Sequence, residues 1–202
     1  KLLEADSVLL SIGRRANTAN LGLDSIHVAT ERGAIPVDDR MRANQPGVYA
    51  AGDVTGFSML AHTAYREAEV AVNDMLGRQD RMRYDAVPAV LYTSPELASV
   101  GETEQSAAQK GLPFKVVKLH MRFSGRYLAE NEGGNGIMKL VVNTNTRQVL
   151  GMQALSNYAS EFIVQAAAFI ELGLTLEQIQ KIIFPHPTVS EIIREAVFAY
   201  EE

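Results

Sequence analysis

The chain has 202 residues, 47% of them hydrophobic and 21% charged, with a formal net charge of −5. That length carries one large domain or two small ones with a proper core, and no basic stretch suggests nucleic acid. Cysteine is absent, which excludes disulfides, thiolate metal sites and a cysteine nucleophile within the chain; no apolar run approaches the ~20 residues of a membrane span, nothing at Lys1-Leu2-Leu3-Glu4 reads as a signal peptide, and a cytoplasmic, membrane-free protein is expected.

In chain order, Ser7 to Ile12 is an apolar run ended by Gly13-Arg14-Arg15, and reads as a buried strand stopping at a turn. Gly13 would let a ligand approach the backbone, and the paired arginines could meet phosphate or carboxylate; the same residues also make a plain surface turn. Ala34 to Val37 reads as an edge strand closed by Asp38-Asp39. Gly47 to Asp53 reads as a buried strand running into Gly52-Asp53, which puts a carboxylate at a strand's carboxyl end, where open sheets bind ligands. Asp53 would accept hydrogen bonds from hydroxyls, or it is simply a strand-ending turn residue. A helix is expected from Met59 or Leu60 to Leu76, with Ala61, Ala64, Tyr65, Ala68, Val72, Met75 and Leu76 on its apolar face and Gly77 ending it. The start of that helix, Met59 to His62, suits an electron-rich group such as a cofactor ring that gains charge on reduction. His62 by itself is given no chemical role.

A boundary falls near Gly77–Arg81, a polar linker, and the pattern then changes to antiparallel strands and packed helices. Strands are expected at Val87–Tyr92, Lys115–Arg122, Gly136–Val142 and Gln148–Leu155, the last two joined by the turn Asn143–Thr146. Thr103 to Lys110 reads as a helix stopped by Gly111. The helix Ser160–Leu172 is apolar nearly all round and needs burial on more than one side. A second subunit is the simplest way to provide it, a central helix of a monomer's core the alternative. In Phe184-Pro185-His186-Pro187-Thr188-Val189-Ser190-Glu191 the two prolines keep His186 out of any helix, and Glu191 falls in the first turn of a last helix expected at Val189–Tyr200. An imidazole on a stiff turn beside a carboxylate is the make-up of a general acid/base. Thr188 and Glu191 also match a capping box, which would leave His186 an ordinary turn residue. The four histidines have no metal-ligand spacing.

Ile12-Gly13-Arg14-Arg15, Val48-Tyr49-Ala50-Ala51-Gly52-Asp53, Met59-Leu60-Ala61-His62, and His186-Pro187-Thr188 with Glu191 stand in this order. Together they resemble the carboxyl-terminal part of the flavin-dependent pyridine nucleotide–disulfide oxidoreductases, most closely the dihydrolipoamide dehydrogenase branch. Tyr92 to Gly101 is similar to the opening of that branch's interface domain, and Ser190 to Ala196 to its last helix. The resemblance runs from Lys1 to about Ala199. It implies an α+β interface (dimerisation) domain over 84–202, an antiparallel sheet with helices. Before it would come the tail of an NAD-binding domain over 1–13 and the carboxyl-terminal part of an α/β FAD-binding domain over 14–80.

By the same resemblance, Asp53 would bind the flavin's ribityl hydroxyls, Met59, Leu60, Ala61 and His62 would lie under the isoalloxazine, and Gly13 would belong to the NAD site. His186 would be the acid/base and Glu191 its orienting partner, serving the disulfide of the partner subunit in a homodimer. The implied reaction oxidises dihydrolipoamide, with electrons passing through a disulfide and FAD to NAD⁺. The implied partners are lipoyl domains of 2-oxo-acid dehydrogenase complexes or a glycine-cleavage carrier protein. The family's cysteine pair and its glycine-rich phosphate turns are missing from this sequence, so the chain reads as a fragment: alone, an inactive dimerisation module. A related reductase such as glutathione reductase, which usually has two acidic residues after the His-Pro-Thr segment, is the alternative parent. Ala16, where the family commonly has proline, and Ser94, where histidine is common, are smaller departures.

Overall fold

The computed structural model describes residues 2–201, and the chain divides between Arg83 and Tyr84 into two units. In the first unit the one long element is helix α1, Ala61–Met75. It ends as the sequence requires: Gly77, at φ +72°, lets its own N–H reach Asp74 O and the N–H of Arg78 reach Asn73 O, satisfying the last carbonyls of the helix.

What α1 buries is a mixed face, with three polar residues beside two apolar ones: Thr63, Glu67, Val70, Ala71 and Asp74. Asp74 accepts from Arg42 Nε at 2.6 Å, Arg42 Nη2 at 2.7 Å, the Tyr49 hydroxyl at 2.7 Å and Arg40 Nη1 at 3.3 Å. Glu67 accepts from the Gly52 N–H at 2.5 Å. These bonds clamp α1 onto the segment from Arg40 to Gly52. The apolar face expected for this helix is therefore reversed: Tyr65, Ala68, Val72, Met75 and Leu76 are exposed. A buried carboxylate must be paired, and Arg40 and Arg42 pair this one; the unit's apolar cluster is small, centred on Val28, Ile35 and Ala50.

The strands expected at 7–12, 34–37 and 47–53 are also not realised as ladders. Residues 7–12 carry no regular secondary structure and are exposed, and among the described residues pairing in the first unit is limited to isolated bridges Glu31↔Ala34 and Arg42↔Tyr49. A strand exists only if its N–H and C=O groups find a neighbouring strand, and the described residues supply none for Ser7 to Ile12.

The second unit is built on five strands: β1 Ala89–Leu91, β2 Glu96–Gly101, β3 Phe114–His120, β4 Ile137–Asn143 and β5 Val149–Ser156. They form one antiparallel sheet in the order β1-β2-β5-β4-β3. The turn between β4 and β5 is held by Asn143 Oδ1, which accepts the N–H groups of Asn145 and Thr146. Around the sheet lie α2 Glu104–Gln109, α3 Gly125–Glu130, α4 Ala159–Glu171, α5 Leu176–Ile179 and α6 Glu191–Ala199. α2 starts on a Thr103–Ser106 capping box.

Pleating sends Ala98, Val100, Met138, Leu140, Met152 and Ala154 to one face. There α4 packs on β2 and β5, and α6 on β3 and β4. β2 goes unread in the sequence because its inward residues are small or short and its run is only six residues long. α4 buries Phe162, Ile163, Ala166, Ala167 and Phe169, while Val164, Ala168 and Leu172, one turn apart, form an exposed apolar stripe. Among the described residues no helix is long and apolar enough to cross a membrane.

The Asp74 clamp has a defined pH signature. Hydrogen bonds from Arg42 and then Tyr49 lower its pKa to about 2, below the ~3.9 of an unfolded Asp. Its contribution to stability is therefore complete above ~4 and is lost as the pH falls toward the folded value. Asp74→Asn is expected to lower the urea midpoint of the first unit at pH 7. The gap from the parent chain should narrow between pH 4 and 2.5, and an unchanged midpoint at pH 7 would show that the clamp contributes nothing.

Candidate active site

The approach to the last helix is a short loop between two apolar anchors. Phe184 packs against the core and Val189 is buried in it, so the chain from Pro185 to Thr188 must arch outward between them. Pro185 and Pro187 flank His186, and the His186–Pro187 peptide is cis. The His186 side chain is 78% exposed, whereas that of Glu191, the first residue of α6, is 18% exposed.

His186 Nδ1 lies 2.9 Å from Glu191 Oε1. The other carboxylate oxygen, Oε2, accepts from the Thr188 N–H at 2.8 Å. Thr188 Oγ1 donates to Pro185 O at 2.9 Å and lies 3.1 Å from Ser190 Oγ. Half of the expected capping box is thus present: Glu191 reaches back, but the Thr188 hydroxyl closes the loop instead of capping α6, whose N-cap is Ser190. α6 accordingly begins at Glu191, two residues later than Val189. The two readings of the motif are not exclusive, because one carboxylate serves both with different oxygens.

Burial by itself would push the Glu191 carboxyl up. The Thr188 N–H, the His186 ring and the charge of Arg194 outweigh it and hold the pKa below the usual range. Its stabilising contribution is therefore present above the unfolded value of ~4.3 and is lost as the pH falls through the folded one. An ionised carboxylate can only accept, so Nδ1 donates to Glu191, and in the neutral ring the lone pair falls on Nε2. Nε2 has no hydrogen-bond partner among the described residues. The arrangement is an oriented, solvent-facing imidazole. Beside the loop is a cavity of about 260 Å³ lined by Arg126, Tyr158, Glu161, Gln165 and Ser190, among others.

The remaining expected site residues lie in the first unit. Gly52, at φ +84°, turns the chain into a single 3₁₀ turn, Asp53–Thr55. A Cβ at Gly52 would come 3.3 Å from Ala64 Cβ, so this turn sits directly on the first turn of α1. Asp53 is exposed, with Arg14 Nη1 3.9 Å from its carboxylate, a surface pair too long to hold it tightly. Leu60 is the N-cap of α1 and makes no side-chain cap bond. Met59 and Leu60 are half-buried; Ala61 and His62 are exposed. Gly13, at φ +100°, has open space where a Cβ would stand. A groove of about 550 Å³ beside Met59 is lined by Arg15, Glu31, Arg32, Thr55 and Gly56 among others.

Asp53, Met59–His62 and this groove are therefore neighbours within one unit. They fit part of a flavin dinucleotide: a carboxylate for hydroxyls, a helix start without a side-chain cap, and guanidinium groups for phosphate. Arg32 and Ser124, whose hydroxyl reaches Thr188 O, escape the sequence reading. Arg32 lies in an irregular stretch, and Ser124 meets a residue 64 positions away, with no local pattern to announce it.

Residues 87–197 match the family described as "Pyridine nucleotide-disulphide oxidoreductase, dimerisation domain", and residues 1–68 match "Pyridine nucleotide-disulphide oxidoreductase". The chain is 42% identical over 194 residues to a dihydrolipoyl dehydrogenase of Chlamydia muridarum, covering 96% of this chain and 42% of that protein. It is 39% identical over 197 residues to the dihydrolipoyl dehydrogenase of Bacillus subtilis, covering 97% and 42%. Among solved structures it is similar to LpdA of Mycobacterium tuberculosis, with a TM-score of 0.89 and 28% identity over 95% of this chain and 42% of that one. It is also similar to RclA of Escherichia coli, described as an HOCl-induced flavoprotein disulfide reductase, with a TM-score of 0.81 and 28% identity over 93% and 44%. The chain spans about two-fifths of the curated relatives it matches. The expected α+β sheet with helices is found over the second unit, and the chain belongs to the pyridine nucleotide–disulfide oxidoreductase family, whose dimerisation domain it carries.

Proposed function

We propose that this chain is the carboxyl-terminal part of a dihydrolipoamide dehydrogenase and supplies its acid/base pair, part of its flavin contacts and its dimer interface. The observation that carries the reading is the Glu191 carboxylate, which bonds His186 Nδ1 and the Thr188 N–H at once and so aims Nε2 outward. The names of the relatives at 39–42% identity favour this branch over a glutathione reductase.

In this reading residues 1–13 are the tail of the NAD-binding domain, 14–80 the last part of the FAD-binding domain, and 84–202 the interface domain. Asp53 accepts hydrogen bonds from the ribityl hydroxyls, Met59 to His62 back the isoalloxazine, and Gly13 leaves room for the NAD site. FAD and NAD⁺, when bound, supply the acceptors for the electron pair that leaves as the dithiol closes to a disulfide.

The chemistry of this chain's own residues is proton transfer. A dihydrolipoamide thiol has a pKa near ~8.5, so little of it is thiolate at neutral pH. His186 Nε2 takes the thiol proton, Glu191 stabilises the imidazolium through Nδ1, and the resulting thiolate attacks an active-site disulfide contributed from outside this chain. The apolar stripe of Val164, Ala168 and Leu172 supports a homodimer, in which the base serves the partner subunit's disulfide. The carriers it would meet are lipoyl domains of 2-oxo-acid dehydrogenase complexes or a glycine-cleavage protein, in the cytoplasm. With no cysteine, the chain by itself is a dimerisation module without turnover.

In the full-length enzyme, His186→Gln should lower dihydrolipoamide turnover ~100-fold or more; near-normal steady-state activity would remove His186 from the mechanism. Glu191→Gln should approach the same loss. Its amide oxygen would satisfy the Thr188 N–H, leaving an NH₂ group against Nδ1 and forcing the ring into the tautomer with the proton on Nε2. A visible spectrum of the full-length protein should show bound flavin, and Asp53→Ala should weaken retention of FAD on dialysis. Retention equal to the parent's would take Asp53 out of the site.

A further inference from the structure

Glu191 and His186 account for one side of the loop; the other side is held by a residue far away in the sequence. Ser124 stands between β3 and α3, after the 3₁₀ turn Met121–Phe123, and is only 1% exposed. Its hydroxyl has two duties that use different parts of the group. The oxygen accepts from the Tyr127 N–H at 3.2 Å and caps α3. The O–H donates to Thr188 O at 2.9 Å. Capping α3 needs only an acceptor, so it does not account for where the hydroxyl sends its proton.

The Thr188 residue is consequently held at both of its backbone polar groups, by Ser124 at the C=O and by Glu191 at the N–H. That second bond engages Glu191 Oε2 and turns the other oxygen, Oε1, toward His186 Nδ1. If Thr188 shifts, the carboxylate rotates with it and the imidazole loses its direction. Val189 fixes the depth of the loop by burial, but an apolar contact has no orientation to impart; the three hydrogen bonds do.

We propose that Ser124 is a positioning residue for the His186 imidazole, acting through the Thr188 peptide and the Glu191 carboxylate. The proposal builds on the reading of His186 as the base, and its test separates the two.

The full-length enzyme, labelled with ¹⁵N-histidine, would be compared as parent, Ser124→Ala, Ser124→Thr and Tyr127→Phe. Tyr127→Phe is the control for general loosening, since it removes the bond between the Gly136 N–H and the Tyr127 hydroxyl at the same corner without touching Thr188. The parent should give His186 ring shifts of a single tautomer protonated on Nδ1. Ser124→Ala should average those shifts and lower kcat about tenfold, as misplacement of a reacting group does, with little change in KM. Ser124→Thr, which keeps the O–H, should restore both, and Tyr127→Phe should alter neither.

Parent-like ring shifts in Ser124→Ala, or the same averaging in Tyr127→Phe, would overturn the positioning role. Averaged shifts in Ser124→Ala, with turnover unaffected both there and in His186→Gln, would leave the positioning role standing and overturn His186 as the base.

Discussion

The carboxylate of Glu191 is the contact on which the geometry of the His186 loop depends, because it is shared. One oxygen closes the loop on the Thr188 N–H and the other orients the His186 ring. A carboxylate bonded only to the ring would be free to rotate, and one bonded only to the loop would leave the imidazole free in solvent. With His186 78% exposed, no packing holds the ring; its direction comes from that single contact. A net hydrogen bond contributes only about 1 kcal/mol, more when one partner is charged. The arrangement therefore persists only because everything beneath it is already in place.

What lies beneath is the sheet with α4 and α6. Ile192, Ile193, Ala196 and Val197 are buried in the face of β3 and β4, and each large aliphatic side chain so buried contributes ~1.5–3 kcal/mol. Against hydrogen bonds of about 1 kcal/mol, burial decides where α6 starts and where the loop stands. The hydrogen bonds decide which way the groups on the loop point. The same division recurs in the first unit, where Asp74 and Glu67 are held by directional polar contacts and the apolar cluster is small. There the clamp and the burial of Val70 and Ala71 act on the same side of α1.

The two units differ in how far their apolar surface is used. The second unit closes its core over one face of the sheet and leaves an apolar stripe on α4, with Leu91, Tyr92 and Ile183 also exposed. The first leaves Val8, Leu9, Leu10 and Ile12 exposed at its start and Tyr65, Val72, Met75 and Leu76 along α1. A chain spanning about two-fifths of its matched relatives would leave such surfaces where its elements lack neighbours.

Several features were determined by the sequence alone, because they depend on local geometry. Gly77 ends α1, Asn143 closes the turn after β4, Thr103 begins α2, and the Pro-His-Pro segment keeps His186 out of a helix. His186 and Glu191 could be paired from their spacing, since five residues across the entry to a helix are within side-chain reach. Tertiary structure decided the rest. The run from Ser7 to Ile12 has the composition of a strand but no neighbour to pair with. The hydrophobic pattern of α1 pointed to the face that is in fact exposed, and the pairing of Asp74 on the opposite face with Arg40 and Arg42, some thirty residues earlier, leaves no local pattern to read. Ser124 could be joined to Thr188 only by folding, because hydrogen bonds between distant segments leave no periodicity in the chain that makes them.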